Sequence, residues 1–187
     1  MTITVIVACS VAIAALLIVI FIIAVWARPS QFRIARAGTI DAPSPLVHAN
    51  IDDFHRWQAW SPWAKLDPTA KNSYDGPSSG TGAGFGWDGN GKVGAGHMTI
   101  VASLPHRITI RLDFFRPFKA TNTAEFTITA VGAQTQVTWA MSGHAPFMLK
   151  AMCLLFFDQD KLIGTMFEQG LANLKTISEK TASIGSV

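Results

Sequence analysis

Two long stretches of the chain are apolar in different ways, and the remainder alternates. Near the C-terminus, Ile163, Met166, Phe167, Gly170, Leu171, Leu174 and Ile177 recur in steps of three and four, which lines them up as one stripe of an α-helix. Glu168, Lys175 and Glu179 fall off that stripe. Just before it, Phe147, Met148, Ala151, Met152, Leu154, Leu155, Phe156 and Phe157 are apolar nearly all round. The pattern predicts one long helix from Phe147 to Lys180. Its second part packs tightly on a large surface; its first part meets two surfaces, a cavity or a bilayer. Asp158 or Asp160 is expected to cap the second part.

The large surface comes from the middle of the chain. Ile108, Ile110, Leu112 and Phe114 alternate with Thr109, Arg111 and Asp113. Ala124, Phe126 and Ile128 alternate with Thr123, Glu125 and Thr127, and Val137, Trp139 and Met141 with Thr138, Ala140 and Ser142. Period two predicts antiparallel strands with one wet and one buried face. They span Arg107–Phe115, Lys119–Val131 and Gln136–Gly143, with turns at Arg116-Pro117 and Gly132-Ala133. Gln31–Ile40, Lys71–Tyr74 and Gly96–Leu104 read as further strands. By parity Asn122 joins Ala124 and Phe126 on the buried face, whereas Arg111, Asp113 and Glu125 point outward as an ion network.

After Ile40, prolines 43 and 45 break the first strand because proline removes a ladder donor. Ser44-Pro45 reads as an N-cap followed by proline at the first helical position, opening a short helix to about Asp52. Phe54–Ala59 predicts a second. Trp57, Trp60 and Trp63 then fall within one short segment. They plug one end of the core, or at least one indole edge lines a ligand mouth.

The N-terminus is apolar without any period. Residues 1–27 carry no charged side chain. Ile3 to Ala27 as a helix would extend roughly 37 Å at ~1.5 Å per residue, enough for a hydrocarbon core of ~30 Å. A retained transmembrane anchor is expected over residues 1–27, because a cleaved signal has a basic n-region and a shorter apolar run. Arg28, Arg33 and Arg36 follow the span, so the positive-inside rule places residues 28–187 in the cytoplasm and the N-terminus outside, in a single-pass cell-membrane protein. The net charge of +3 is mild, and no nucleic-acid footprint follows from it. Cys9 lies in the span and Cys153 on the C-terminal helix, so no disulfide framework is expected.

Candidate chemistry is sparse. Gly84 to Gly89 fits G-x-G-x-x-G and Gly86 to Lys92 begins like a P-loop, but phosphate binding needs a helix to follow. A strand follows instead, and Asp88-Gly89-Asn90-Gly91 is hairpin-turn chemistry. The histidines at 48, 55, 97, 106 and 144 include no pair four apart, so no metal site is expected. Ser61 precedes a proline and Cys153 has no evident base, so no catalytic residue is named and no cofactor is expected. Asn122 and His97 are the polar side chains best placed to meet a ligand. Met98, Met141, Met148 and Met152 lie on the sheet or on the first part of the last helix, where methionine fills irregular space.

The order strand, two short helices, about six strands and long C-terminal helix comes with Ile40-Asp-Ala-Pro43, Trp57-x-x-Trp-Ser-Pro-Trp63, Arg116-Pro-Phe-Lys-Ala-Thr-Asn122 and Val137-Thr-Trp-Ala-Met-Ser-Gly143. Together these resemble the SRPBCC superfamily in its polyketide cyclase/dehydrase-like branch, the START-like or helix-grip proteins, over residues 31 to about 178. The resemblance implies an α+β helix-grip fold of the START/Bet v 1-like kind. A curved antiparallel sheet of about seven strands would wrap the C-terminal helix, with a hydrophobic cavity between them. Members bind lipids, sterols, polyketides or hormones; some cyclise polyketides and others are chaperone cofactors, so fold does not fix function. The expectation is a membrane-anchored binding protein for a small apolar ligand, lipid- or polyketide-like, lined by Trp60, Trp63, Trp87, Met98, Phe114, Asn122, Met141, Met148 and Met152. The alternatives are a cyclase/dehydrase-like enzyme using the same cavity, with Asn122 and His97 as first suspects, and a membrane-tethered interaction module with a closed core. Protein partners are left open.

Overall fold

The structure, a computed structural model, describes residues 2–155 and 158–184. An N-terminal helix α1 (Thr2–Ala27) leads into β1 (Gln31–Ile40), then α2 (Ser44–Asp52), α3 (Trp57–Trp60) and a 3-10 turn, Pro62–Lys65. Six strands follow: β2 (Lys71–Asp75), β3 (Gly84–Asp88), β4 (Ala95–Leu104), β5 (Arg107–Arg116), β6 (Ala120–Val131) and β7 (Gln134–His144). Helices α4 (Phe147–Leu155) and α5 (Gln159–Ile184) close the chain. The strands form one antiparallel sheet in the order β1-β7-β6-β5-β4-β3-β2. Register shifts in β4 between Ala95 and Gly96 and between Ile100 and Ala102 are irregularities of the kind that bend a strand and deepen sheet curvature.

The register sorts the concave face into rows. Arg36, Trp139, Phe126 and Ile108 are neighbours across the sheet; the next row is Ile34, Met141, Ala124, Ile110 and Ile100. These rows are covered by α2, α3 and α5. Trp139 stacks on Phe167 at 4.3 Å and on Phe126 at 4.8 Å between ring centroids, with Trp60 edge-on at 5.6 Å. Buried indoles usually bond their N–H groups: Trp57 Nε1 donates to the Ile51 carbonyl at 2.8 Å and Trp60 Nε1 to the Asn50 carbonyl at 3.0 Å, whereas Trp139 Nε1 is buried without a partner among the described residues. Helix α5 lies close because Gly170 has no side chain; a Cβ there would stand 2.6 Å from the Trp139 ring. Two ion clusters set its position along β1. Arg36 reaches Asp160 at 3.0 Å and Glu168 at 2.7 Å, and Lys175 reaches Asp41 at 3.2 Å and also pairs with Glu179. Exposed pairs contribute little stability, so their role is alignment.

Several local expectations change. The C-terminal segment is two helices, not one: the Asp158 carboxylate accepts from the Asp160 N–H at 2.9 Å and the Lys161 N–H at 3.2 Å, which caps a new helix rather than continuing the old one. Phe156 and Phe157 lie outside the described residues. Ser44 is not the N-cap of α2; Pro43 is, and its carbonyl accepts from Leu46 and Val47 with no side-chain cap. The second short helix begins at Trp57 instead of Phe54, because Asp53 takes the His55 N–H at 2.8 Å in a turn. The glycine-rich segment contains β3, whose alternation of Phe85 and Trp87 with glycines hides a strand paired on both sides.

Helix α4 packs on the end of α1, where Val25 is fully buried. Lys150 turns inward from α4 and donates to the Arg28 carbonyl at 3.1 Å and the Ser30 hydroxyl at 3.3 Å. The Ala145 N–H donates to the Ser30 carbonyl at 2.7 Å.

Candidate functional site

Two further rows of the concave face lie beyond the filled core. One runs Phe32, Gly143, Asn122, Leu112, Met98, Phe85; the last runs Ala120, Phe114, Gly96, Trp87. Met98 and Asn122 are buried, while Phe85, Trp87, Leu112 and Phe114 are half-buried. Trp87 meets Phe114 edge-on at 5.7 Å and stacks on Phe85 at 6.2 Å. Its indole N–H is held by the Val93 carbonyl at 3.0 Å, which fixes the ring as a wall. Gly96 beneath the ring leaves room for it to lie on the sheet.

Asn122 is the polar group in this wall. It is 8% exposed, and its Nδ2 lies 3.9 Å from the Met141 sulfur, a weak acceptor. Its Oδ1 is buried without a hydrogen-bond partner among the described residues. The carbonyl oxygen occupies the space where a side chain at residue 143 would be, and glycine there is what admits it. An orphan acceptor of this kind costs about 1–3 kcal/mol.

The predicted lining residues therefore fall into three groups. Trp87, Met98, Phe114, Asn122 and Met141 share the concave sheet. Trp60 has no exposed surface, and Trp63 sits edge-on to Trp139 at 5.6 Å and Phe167 at 6.2 Å, so both back the core under α5. Met148 is exposed and Met152 half-buried on α4. Phe85 and Leu112 were missed as lining. Leu112 was legible by parity; Phe85 was obscured by flanking glycines. Two open grooves are present. One, of about 420 Å³, lies under the α4–α5 junction against Arg28, Phe32, Lys150, Cys153 and Asp158. The other, of about 570 Å³, is bordered by Gln31, Arg33, Thr121, Thr123 and His144. None of the predicted lining residues borders either groove.

His97 does not join Asn122. It points to the outer face, where its Nε2 lies 2.8 Å from Asp75. On that face the Thr121 hydroxyl, and after it Arg111, hold the Asp113 carboxyl below the usual carboxylate range. Burial pushes the Cys153 thiol up, which keeps it protonated and poorly nucleophilic. No cluster of His, Cys, Asp or Glu able to hold a metal occurs among the described residues. The segment Val5–Ala27 is long and apolar enough to cross a membrane, a criterion a signal sequence also meets.

A seven-stranded antiparallel sheet curved over a long C-terminal helix, with short helices after the first strand, defines the helix-grip class of START- and Bet v 1-like folds. No protein-family model and no curated protein sequence matches the chain; the similarity is to solved structures. Protein CV1439 from Chromobacterium violaceum has a TM-score of 0.57 at 13% identity, over 81% of this chain and 99% of its own. The solution structure of KanY gives 0.58 at 16%, over 80% and 98%. Ara h 8.0201 gives 0.54 at 9%, over 79% and 97%. At these identities the likeness is one of fold.

Proposed function

We propose that the protein is a membrane-anchored binding module for a small hydrophobic ligand, lipid- or polyketide-like. Residues 1–27 are the anchor and residues 28–187 the binding domain, on the cytoplasmic side because Arg28, Arg33 and Arg36 follow the span. The observation that carries the reading is the half-buried aromatic wall of Phe85, Trp87 and Phe114 continuing into a buried amide with a free acceptor. Binding would come from apolar area removed from water, at about 25 cal/mol per Å², less the cost of immobilising the guest. Asn122 would orient it, Met98 and Met141 would adapt to its shape, and Met148 and Met152 would close over it from α4.

The test uses the full chain in detergent. Native mass spectrometry and solvent extraction look for a co-purified guest, and titration with a fluorescent fatty acid looks for saturable binding. Trp87→Ala and Phe114→Ala should each weaken that binding by about tenfold or more, the loss of one buried ring. A chain with no guest and no saturable binding overturns the reading. The closed-core alternative is favoured by one observation, the filled interior under α2, α3 and α5 around Trp139. It expects the cellular role to survive Met141→Phe.

A further inference from the structure

We propose that α4 and the β5–β6 turn form a docking face for an anionic phospholipid surface, so that the aromatic wall opens onto lipid rather than water. This rests on α1 crossing the membrane, as read above.

The first observation is that α4 is amphipathic the wrong way round for a helix in water. Its sequence is Phe-Met-Leu-Lys-Ala-Met-Cys-Leu-Leu, and its one charged side chain, Lys150, is the buried one. Phe147, Met148 and Leu155 are 44%, 55% and 58% exposed. A helix surface normally inverts that arrangement; the exposed face calls for an apolar environment.

The second is its depth. Val25, in the last turns of α1, is fully buried and α4 packs there. Lys150 ties α4 to Arg28 and Ser30, the residues that leave α1. An α4 held against the end of a membrane span lies at the membrane–water boundary.

The third is what shares that end of the domain. β1 starts there, and by register so do the β5–β6 and β3–β4 turns. Phe115 at the end of β5 and Phe118 on the β5–β6 turn are exposed beside Arg116 and Lys119, and Lys92 is exposed on the β3–β4 turn. Arg28, Lys92 and Lys119 have no carboxylate within ion-pair distance among the described residues. Arg116, between the two aromatics, is paired with Asp88; exposed aromatics flanked by the unpaired Lys92 and Lys119 match an anionic headgroup layer. The docking end also carries Asp88, which Arg116 pairs, and Asp158, which caps α5; the opposite end carries Asp41, Asp52, Asp53 and Asp75. The wall's outermost row, with Phe114 and Trp87, is the row nearest the docking end.

The experiment uses the full chain with Cys9→Ser and Cys153→Ser in nanodiscs of phosphatidylcholine, with and without phosphatidylglycerol. A fluorophore is placed singly by Phe118→Cys, Met148→Cys, Val131→Cys or Leu16→Cys, and quenching by spin-labelled lipid is measured. Labels at 118 and 148 should be quenched several-fold more than the label at 131, and more so with the anionic lipid. Lys92→Gln and Lys119→Gln should each lower the docked-to-free ratio by about fivefold. If 118 and 148 match 131 while 16 is quenched, the anchor stands and the docking face is overturned. If 16 is not quenched, the anchor itself is wrong. If labels at 148 transfer energy to one another independently of lipid, a second copy covers this face and the proposal is overturned.

Discussion

Replacing Asn122 by leucine should stabilise the fold, which is unusual for a buried polar residue on a central strand. The side chain is 8% exposed, and its only polar contact among the described residues is Nδ2 to the Met141 sulfur at 3.9 Å. Its carbonyl oxygen has no partner. Leucine is close in shape and fits the space left by Gly143, so the change removes an orphan acceptor without opening a cavity. Relief of that penalty, less the weak amide–sulfur contact, leaves a gain of about 1–2 kcal/mol. For a chain of this size that is a rise in midpoint of roughly 2–8 °C. The assay is thermal unfolding of the full chain in detergent, followed by tryptophan fluorescence, with Asn122→Ala as control. Alanine also removes the orphan but leaves a void beside Leu112, so it should fall below leucine. A leucine variant less stable than the wild type would refute the reasoning, because it would mean the oxygen is satisfied in solution. The same variant should bind apolar guests bearing a hydroxyl more weakly while leaving pure hydrocarbons unaffected.

Gly170→Val should destabilise by about 1–3 kcal/mol through overpacking against Trp139, read as a lower unfolding midpoint. The Asp67 carboxylate is bonded by the Thr69 hydroxyl at 2.7 Å and the Asn90 N–H at 2.7 Å, which hold it below the usual carboxylate range, Thr69 most strongly. Its folded pKa is thus below its unfolded one. Its contribution is full above about pH 4 and fades as pH falls through the depressed value. Asp67→Asn should therefore flatten the acid limb of a pH–stability profile and leave its alkaline limb unchanged. The Cys153 thiol, raised by burial, should alkylate more slowly at neutral pH than free glutathione, and accelerate only on the alkaline side of an ordinary thiol.

The strands were legible because period two is a local signal. The side assigned to Asn122 came from parity alone and agrees with its pairing between Leu112 and Gly143. The stripe of α5 was legible for the same reason, since Phe167, Leu171 and Leu174 are buried as their spacing requires. The cap at Asp158 was legible as well, and its carboxylate holds two N–H groups; what the pattern did not show is that the cap opens a separate helix, because the apolar run before it reads as one continuous helix. How far the tryptophans fill the interior was also out of reach, since it depends on volumes meeting across the sheet. The inward turn of Lys150 was hidden by the ordinary expectation that a lone lysine faces water. The candidate site was read in part for this reason: its wall comes from strands, whereas the α4 side depends on which way a short, almost uniformly greasy helix rolls.

Only Arg28, Pro29 and Ser30 separate α1 from β1, a tether of about 10 Å at full stretch. With α1 seated in a bilayer, the domain cannot swing out to ferry cargo through the aqueous phase. On the proposed anchoring it would be a fixed station, met by molecules that drift sideways within the same leaflet, and encounter frequency would scale with density per area of membrane and not with bulk concentration.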